Sequence, residues 1–180
     1  MIDSVIGELL NELGVADGEG FFLERGLVRF EEACEDDLQV VQVDEDGREH
    51  ELVGDAAVAW REMEAAALAD LGEGSGLLLV SAFRSVERQA EIVRGKFLRG
   101  ISNEEIFAVS APPGFSEHHT GRAVDISTPG YVALEEEFEE SAAFAWLSEN
   151  ARRFGFSMTY GRENPYGFLY EPWHWCFLGG

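Results

Sequence analysis

The run Ala123-Val124-Asp125-Ile126-Ser127 constrains this chain more than any other short segment. Its alternation reads as a strand, with Val124 and Ile126 on one face and Ala123, Asp125 and Ser127 on the other. The apolar pair belongs in a core. Asp125 then points at whatever covers the opposite face. A carboxylate is costly to bury there unless it is paired or bound to a metal. Gly121 permits a tight bend just ahead of the strand. His118 lies before that bend, after the loop opened by Pro112-Pro113-Gly114.

The rest of the chain reads as a mixture of helices and strands without regular alternation, which is the α+β class. Residues 2–13 suit a short amphipathic helix stopped by Gly14. Residues 21–53 look like strands, and within them 38–43 and 48–53 flank an Asp46-Gly47 turn. Residues 55–71 are helical by propensity. A buried strand follows at 77–81, then a helix capped by Ser85 and running to about Leu98. Ser102 and Glu105 make the S-x-x-E capping box of another short helix. A helix over about 134–154, ended by Gly155, precedes two or three strands within 156–178. A length of 180 residues suits one domain with a real core.

Glu171-Pro172-Trp173-His174 supplies a second histidine. On a regular strand Glu171 and His174 face opposite sides, so they converge only if the chain bends between them, and Pro172 makes a bend plausible. Trp173 and Trp175 would pack away from His174 and fix its direction. Two imidazoles and one carboxylate suit a single zinc ion, with a fourth position left for water. A carboxylate that is not a ligand, here Glu171, can then act as base. Arg84 falls between a strand end and a helix start. Its planar fork suits a terminal carboxylate or an oxyanion. Gln89 and Ser116 could add hydrogen bonds to a substrate, or serve capping and loop contacts. His119 reads as a flank of His118.

These segments resemble the VanY-type D-alanyl-D-alanine carboxypeptidases, in the group of zinc peptidases that also holds the lysostaphin-type and hedgehog-like domains. The pattern S-x-H-x-x-G-x-A-x-D runs from Ser116 to Asp125. E-x-W-H runs from Glu171 to His174, and the family arginine in its Ser-x-x-Arg-Ser setting is Arg84, with a glutamine following at Gln89. The resemblance implies a small central antiparallel sheet flanked by helices. It implies zinc held by His118, Asp125 and His174, Glu171 as base, and Arg84 binding or stabilising the substrate. It covers about residues 55–178. Residues 1–54 are accordingly read as a helix-and-hairpin extension packed on a catalytic domain of 55–180. Where the family commonly has a basic residue two positions after the last histidine, this chain has Cys176.

The implied activity is removal of a C-terminal D-amino acid, D-alanine by expectation, from peptidoglycan stem peptides or muropeptides, with D,D or L,D stereochemistry left open. An endopeptidase and a non-catalytic zinc-stabilised binding module are the alternatives. A net charge of -22, from 35 acids against 13 bases, argues against nucleic acid and anionic membrane surfaces as partners. No stretch is long enough to span a bilayer. A monomer is expected. The first ten residues lack a basic region followed by a long apolar run. The expected compartment is therefore the cytoplasm, or the periplasm or exterior if Met1 is not the native start. Cys34 and Cys176 do not look like a disulfide framework.

Overall fold

The computed structural model describes residues 2–15 and 20–179. Helix α1 (Ile2–Glu12) is followed by a short helix α2 (Gly20–Glu24), a hairpin of β1 (Leu38–Val43) and β2 (Glu49–Val53), and a long helix α3 (Gly54–Leu71). Then come β3 (Leu78–Ser81), α4 (Val86–Leu98), α5 (Asn103–Val109), β4 (Ala123–Ser127), α6 (Ala142–Asn150), β5 (Phe156–Met158) and β6 (His174–Phe177). The strands form two sheets: the β1-β2 hairpin, and a four-stranded antiparallel sheet in the order β3-β4-β6-β5. This is the α+β architecture expected from the sequence, a small antiparallel sheet flanked by helices.

Local chemistry sets most boundaries. Gly47 takes a left-handed φ of 84° in the β1-β2 turn, where a residue with a Cβ would be strained. The Ser85 hydroxyl accepts the Arg88 N–H at the start of α4. Ser102 and Glu105 form the reciprocal capping box of α5. Two expectations fail. Residues 20–24 are helical rather than extended, and 27–34 run as a strap without a strand partner. The single helix expected over 134–154 is three pieces: a 3-10 segment at 136–140, α6, and a 3-10 segment at 151–154. Leu134 sits at φ 63°, outside helical space. The crowded acids Glu135, Glu136, Glu137, Glu139 and Glu140 repel one another at helical spacing. Ser141 then restarts the helix by accepting the Phe144 N–H.

Two apolar cores result. The first joins α3, α6 and one face of the four-stranded sheet, with Trp60, Met63, Val124, Ile126, Leu147, Phe156 and Trp175 buried in it. Each such side chain contributes about 1.5–3 kcal/mol by leaving water. The second joins α1, α4 and α5 with Phe22, Phe115, Tyr160 and Phe168. The strap ties the N-terminal region to the 112–121 loop: the Phe30 N–H donates to the Gly114 carbonyl and the Ala33 N–H to the His119 carbonyl. The candidate site lies on the sheet face turned away from the first core.

Candidate metal centre and cleft

Strand register assembles the site. Ser81, Asp125 and His174 are direct cross-strand partners on β3, β4 and β6. They therefore form one row across the sheet, while Val124, Ile126 and Trp175 occupy the core face. The alternation that placed Asp125 opposite the apolar pair holds. His118 arrives from a 3-10 turn over Glu117–Thr120, which ends at Gly121 in the left-handed region at φ 65°. A Cβ at Gly121 would lie 3.0 Å from Leu38 Cδ2 and from Val53 Cγ1, so the hairpin closes over the turn only because the residue is glycine.

His118, Asp125 and His174 are all buried, and each offers a ligand atom within 4.8 Å of the others. His118 Nδ1 lies 2.7 Å from the Ala82 carbonyl and donates to it. That tautomer leaves Nε2 with its lone pair, 3.2 Å from Asp125 Oδ2. His174 Nδ1 is 3.1 Å from Asp125 Oδ1, and its Nε2 is 2.9 Å from Glu117 Oε2. Tyr160 stacks on the His174 ring at a centroid distance of 4.6 Å. Burial works against the Asp125 charge, but His118 and His174 hold its carboxyl far below the usual carboxylate range. Burial also opposes protonation of His174, yet its bonds to Asp125 and Glu117 raise it to about 10. The donor set fits zinc: two imidazoles and a carboxylate converge, and each imidazole is oriented by an acceptor at its other nitrogen.

The Glu171–His174 segment bends at Pro172. The His174 N–H donates to the Glu171 carbonyl across a turn, and both side chains line the same cleft. Burial pushes the Glu171 carboxyl up to about 7, against the pull of His174, Arg84 and Lys96. Trp175 packs in the first core as expected, its indole N–H donating to the Pro172 carbonyl. Trp173, only partly buried against that core, also lines the cleft.

Arg84 reaches the same point from the β3–α4 junction. Its Nη2 lies 3.6 Å from Asp125 Oδ2 and donates to Ser81 Oγ, and its Nη1 donates to Gln89 Oε1. The Gln89 amide donates in turn to the Ala111 carbonyl at 2.6 Å. Both ends of Gln89 are thus engaged by protein. Ser116 is buried and lines the cleft, whose volume is about 460 Å³. His119 donates from Nδ1 to the Arg84 carbonyl and accepts the Gly114 N–H at Nε2. Burial lowers it to about 4, so it is a neutral strut beneath the loop. Cys34 and Cys176 are both free thiols, and Cys176 is buried. No helix among the described residues is long and apolar enough to cross a membrane.

Two residues at the site carry no motif signal: Glu117, a spacer beside His118, and Lys96, which shares the cleft-facing side of α4 with Gln89. Only the fold gives Glu117 a partner 57 residues away.

The family described as VanY, D-alanyl-D-alanine carboxypeptidase, matches residues 49–180. The D-alanyl-D-alanine carboxypeptidase of Enterococcus faecalis is 33% identical over 112 residues, 57% of this chain and 40% of its own length. This chain thus spans well under half of that curated relative. The solved structure of the LdcB LD-carboxypeptidase aligns with a TM-score of 0.68 and 33% identity, over 82% of this chain and 70% of that one. A vancomycin-resistance D,D-pentapeptidase VanY in complex with Zn(II) aligns with a TM-score of 0.62 and 27% identity, over 85% and 86% of the two chains. With the match running through both motifs and the sheet that carries them, this chain belongs to the VanY family of D-alanyl-D-alanine carboxypeptidases.

Proposed function

We propose that the protein is a zinc-dependent carboxypeptidase that removes a C-terminal D-amino acid from peptidoglycan-derived stem peptides. The observation that carries the reading is the buried His118–Asp125–His174 cluster with Glu171 and Arg84 on the same cleft. His118, Asp125 and His174 would hold one zinc ion. Bound zinc supplies Lewis acidity to the scissile carbonyl and to the attacking water. Glu171, held near neutrality by burial, takes a proton from that water and returns it to the leaving amine. Arg84 is pinned by Gln89 and Ser81, so its fork meets a developing oxyanion or the terminal carboxylate without reorganising. Gln89 serves the substrate through Arg84, and Ser116 offers its hydroxyl to the cleft. Residues 1–54 brace this catalytic unit through the strap and the second core.

Mass spectrometry of defined penta- and tetrapeptide stems, incubated with zinc-loaded protein, tests this directly. Loss of a single D-alanine is expected. Cleavage of the pentapeptide indicates D,D specificity and of the tetrapeptide L,D. Larger fragments would replace the reading with an endopeptidase, and an intact substrate on a zinc-loaded protein would leave a binding module. Arg84→Ala separates the first two independently. A carboxypeptidase should lose about 10²-fold or more in kcat/KM, since a buried charge partner is removed. An endopeptidase has no terminal carboxylate to anchor, so its loss should fall on kcat through the oxyanion and leave KM nearly unchanged, where an anchored carboxypeptidase shows a steep rise in KM.

Glu117 acts as a positioning residue in this reading. Its carboxylate holds the outer nitrogen of His174 at 2.9 Å, as outer carboxylates orient metal-binding imidazoles. Glu117→Ala should weaken zinc affinity about 10- to 100-fold, read by competition with a chromophoric chelator, and Glu117→Gln should recover part of it. Wild-type zinc affinity in Glu117→Ala would remove the residue from this role.

A further inference from the structure

The chain has one lysine among its 13 basic residues, and that residue, Lys96, lines the candidate cleft. Helix α4 places Gln89, Ile92 and Lys96 on one face at i, i+3 and i+7, and all three border the cavity. The Lys96 ammonium donates to Ser110 Oγ at 2.6 Å. Among the described residues, no carboxylate lies within ion-pair distance of it. Four arginines pair with acids: Arg88 with Glu91, Arg94 with Glu12, Arg122 with Asp55 and Arg162 with Glu139, whereas Arg25, away from this cleft, is held by backbone carbonyls. In a chain with 35 acids, Lys96 is a half-buried cation on a cleft wall whose hydrogen-bond partner is a neutral hydroxyl.

An ammonium carries three donors, and Ser110 takes one. Withdrawing such a group from water is unfavourable unless an anion replaces the lost hydration. Glu171 faces the same cavity and its charge is felt at Lys96, but it is not a bonded partner. Arg84 stands at the other end of this helix face, already committed to Gln89 and Ser81 and beside Asp125. From Gln89 to Lys96 the helix advances roughly 10 Å. The cleft thus has two cationic positions, one beside the metal cluster and one farther along its wall.

We propose that Lys96 and Ser110 form a second anion subsite of the cleft, which takes a carboxylate of the bound peptide that Arg84 does not hold. The identity of the ligand rests on the carboxypeptidase reading. The subsite itself rests on the geometry of α4 and Ser110. The preferred substrate is then a peptide with two carboxylates, one at the residue released and one on an acidic residue, and each cation receives one of them.

Two measurements on the zinc-loaded full chain test this. In steady-state kinetics with a stem peptide, Lys96→Gln should raise KM about tenfold, with the smaller effect on kcat, and Lys96→Arg should bring KM back within about threefold of wild type. In the second, wild-type protein is acetylated with an amine-reactive ester and followed by mass spectrometry. Lys96 is the sole side-chain amine, so its rate is read without interference, and the N-terminal amine serves as reference. The free peptide should slow Lys96 acetylation at least fivefold. Its C-terminal amide and its side-chain amide are the two comparison arms. Loss of protection with the side-chain amide alone supports an upstream carboxylate, as proposed. Loss with the C-terminal amide alone would overturn that assignment and give Lys96 the terminal carboxylate. A KM in Lys96→Gln within twofold of wild type, together with no protection by any peptide, would overturn the subsite altogether. Failure of the wild type to cut any stem peptide would refute the carboxypeptidase reading, and the acetylation experiment would still report on the subsite.

Discussion

Glu171→Gln should lower kcat about 10²- to 10⁴-fold while zinc remains bound. The substitution keeps size and hydrogen-bonding capacity but removes, among the described residues of the cleft, the carboxyl with the position and proton affinity of a general base. Burial holds this carboxyl near 7, so in the metal-free protein it is half-protonated around neutrality. A bound cation nearby favours the ionised form, and the acid limb of kcat/KM should therefore fall below pH 7 and vanish in the variant. Metal content by emission spectroscopy and a pH profile of turnover check both points. Turnover within tenfold of wild type, with zinc retained, would remove Glu171 from the mechanism.

The same residue has a stability signature of opposite sign. Its folded value is raised from an ordinary 4.5 to about 7, so the fold binds this proton more tightly than the unfolded chain does. The metal-free fold therefore loses stability as pH rises from about 4.5 through 7, by something on the order of 3 kcal/mol. Glu171→Gln should recover that stability at pH 8 and gain nothing at pH 4. The residue that makes the chemistry fast is one the apo fold would be better without.

The second large effect concerns the metal ligands. Chelation, or His118→Ala, should abolish turnover and lower the melting temperature relative to the zinc-loaded wild type. Zinc at a thousand times its dissociation constant stabilises the folded state by about 4 kcal/mol, which corresponds to a shift of about 10 °C for a domain of this size. His118→Ala also strips Asp125, buried at 4% exposure, of one of the two imidazoles that balance its charge. Calorimetry with and without added zinc distinguishes the two contributions. The wild type should respond to zinc, and the variant should show little response. A melting temperature indifferent to zinc in the wild type would count against a metal centre at these residues.

The parts of this site legible in the sequence are those fixed by short-range rules. Strand alternation alone put Asp125 opposite Val124 and Ile126. Pro172 announced the bend that lets Glu171 and His174 share a cleft. The capping box at Ser102 and Glu105 needs only four residues to form. The failures have the opposite character. Residues 134–154 carry helical propensity, but the acidic repulsion and the Ser141 cap act together to divide them. The segment 20–24 is apolar in a way that suits a strand or a helix equally, and its burial of Phe22 in the second core decides. Glu117 and Lys96 carry no local signal at all. One acquires its role from a strand far along the chain, and the other from a helix face that is only meaningful once the cleft exists.

The two cores divide the labour of adaptation. The first sets the strand register on which the metal cluster depends, and its residues lie behind the chemistry. The second contributes Tyr160 and Phe168 to the cleft wall and is closed by α1 and Phe22. Substitutions in the N-terminal helix thus reach the wall, and through Tyr160 the His174 ring it stacks on, while the strand register that sets Asp125 beside His174 rests on the first core.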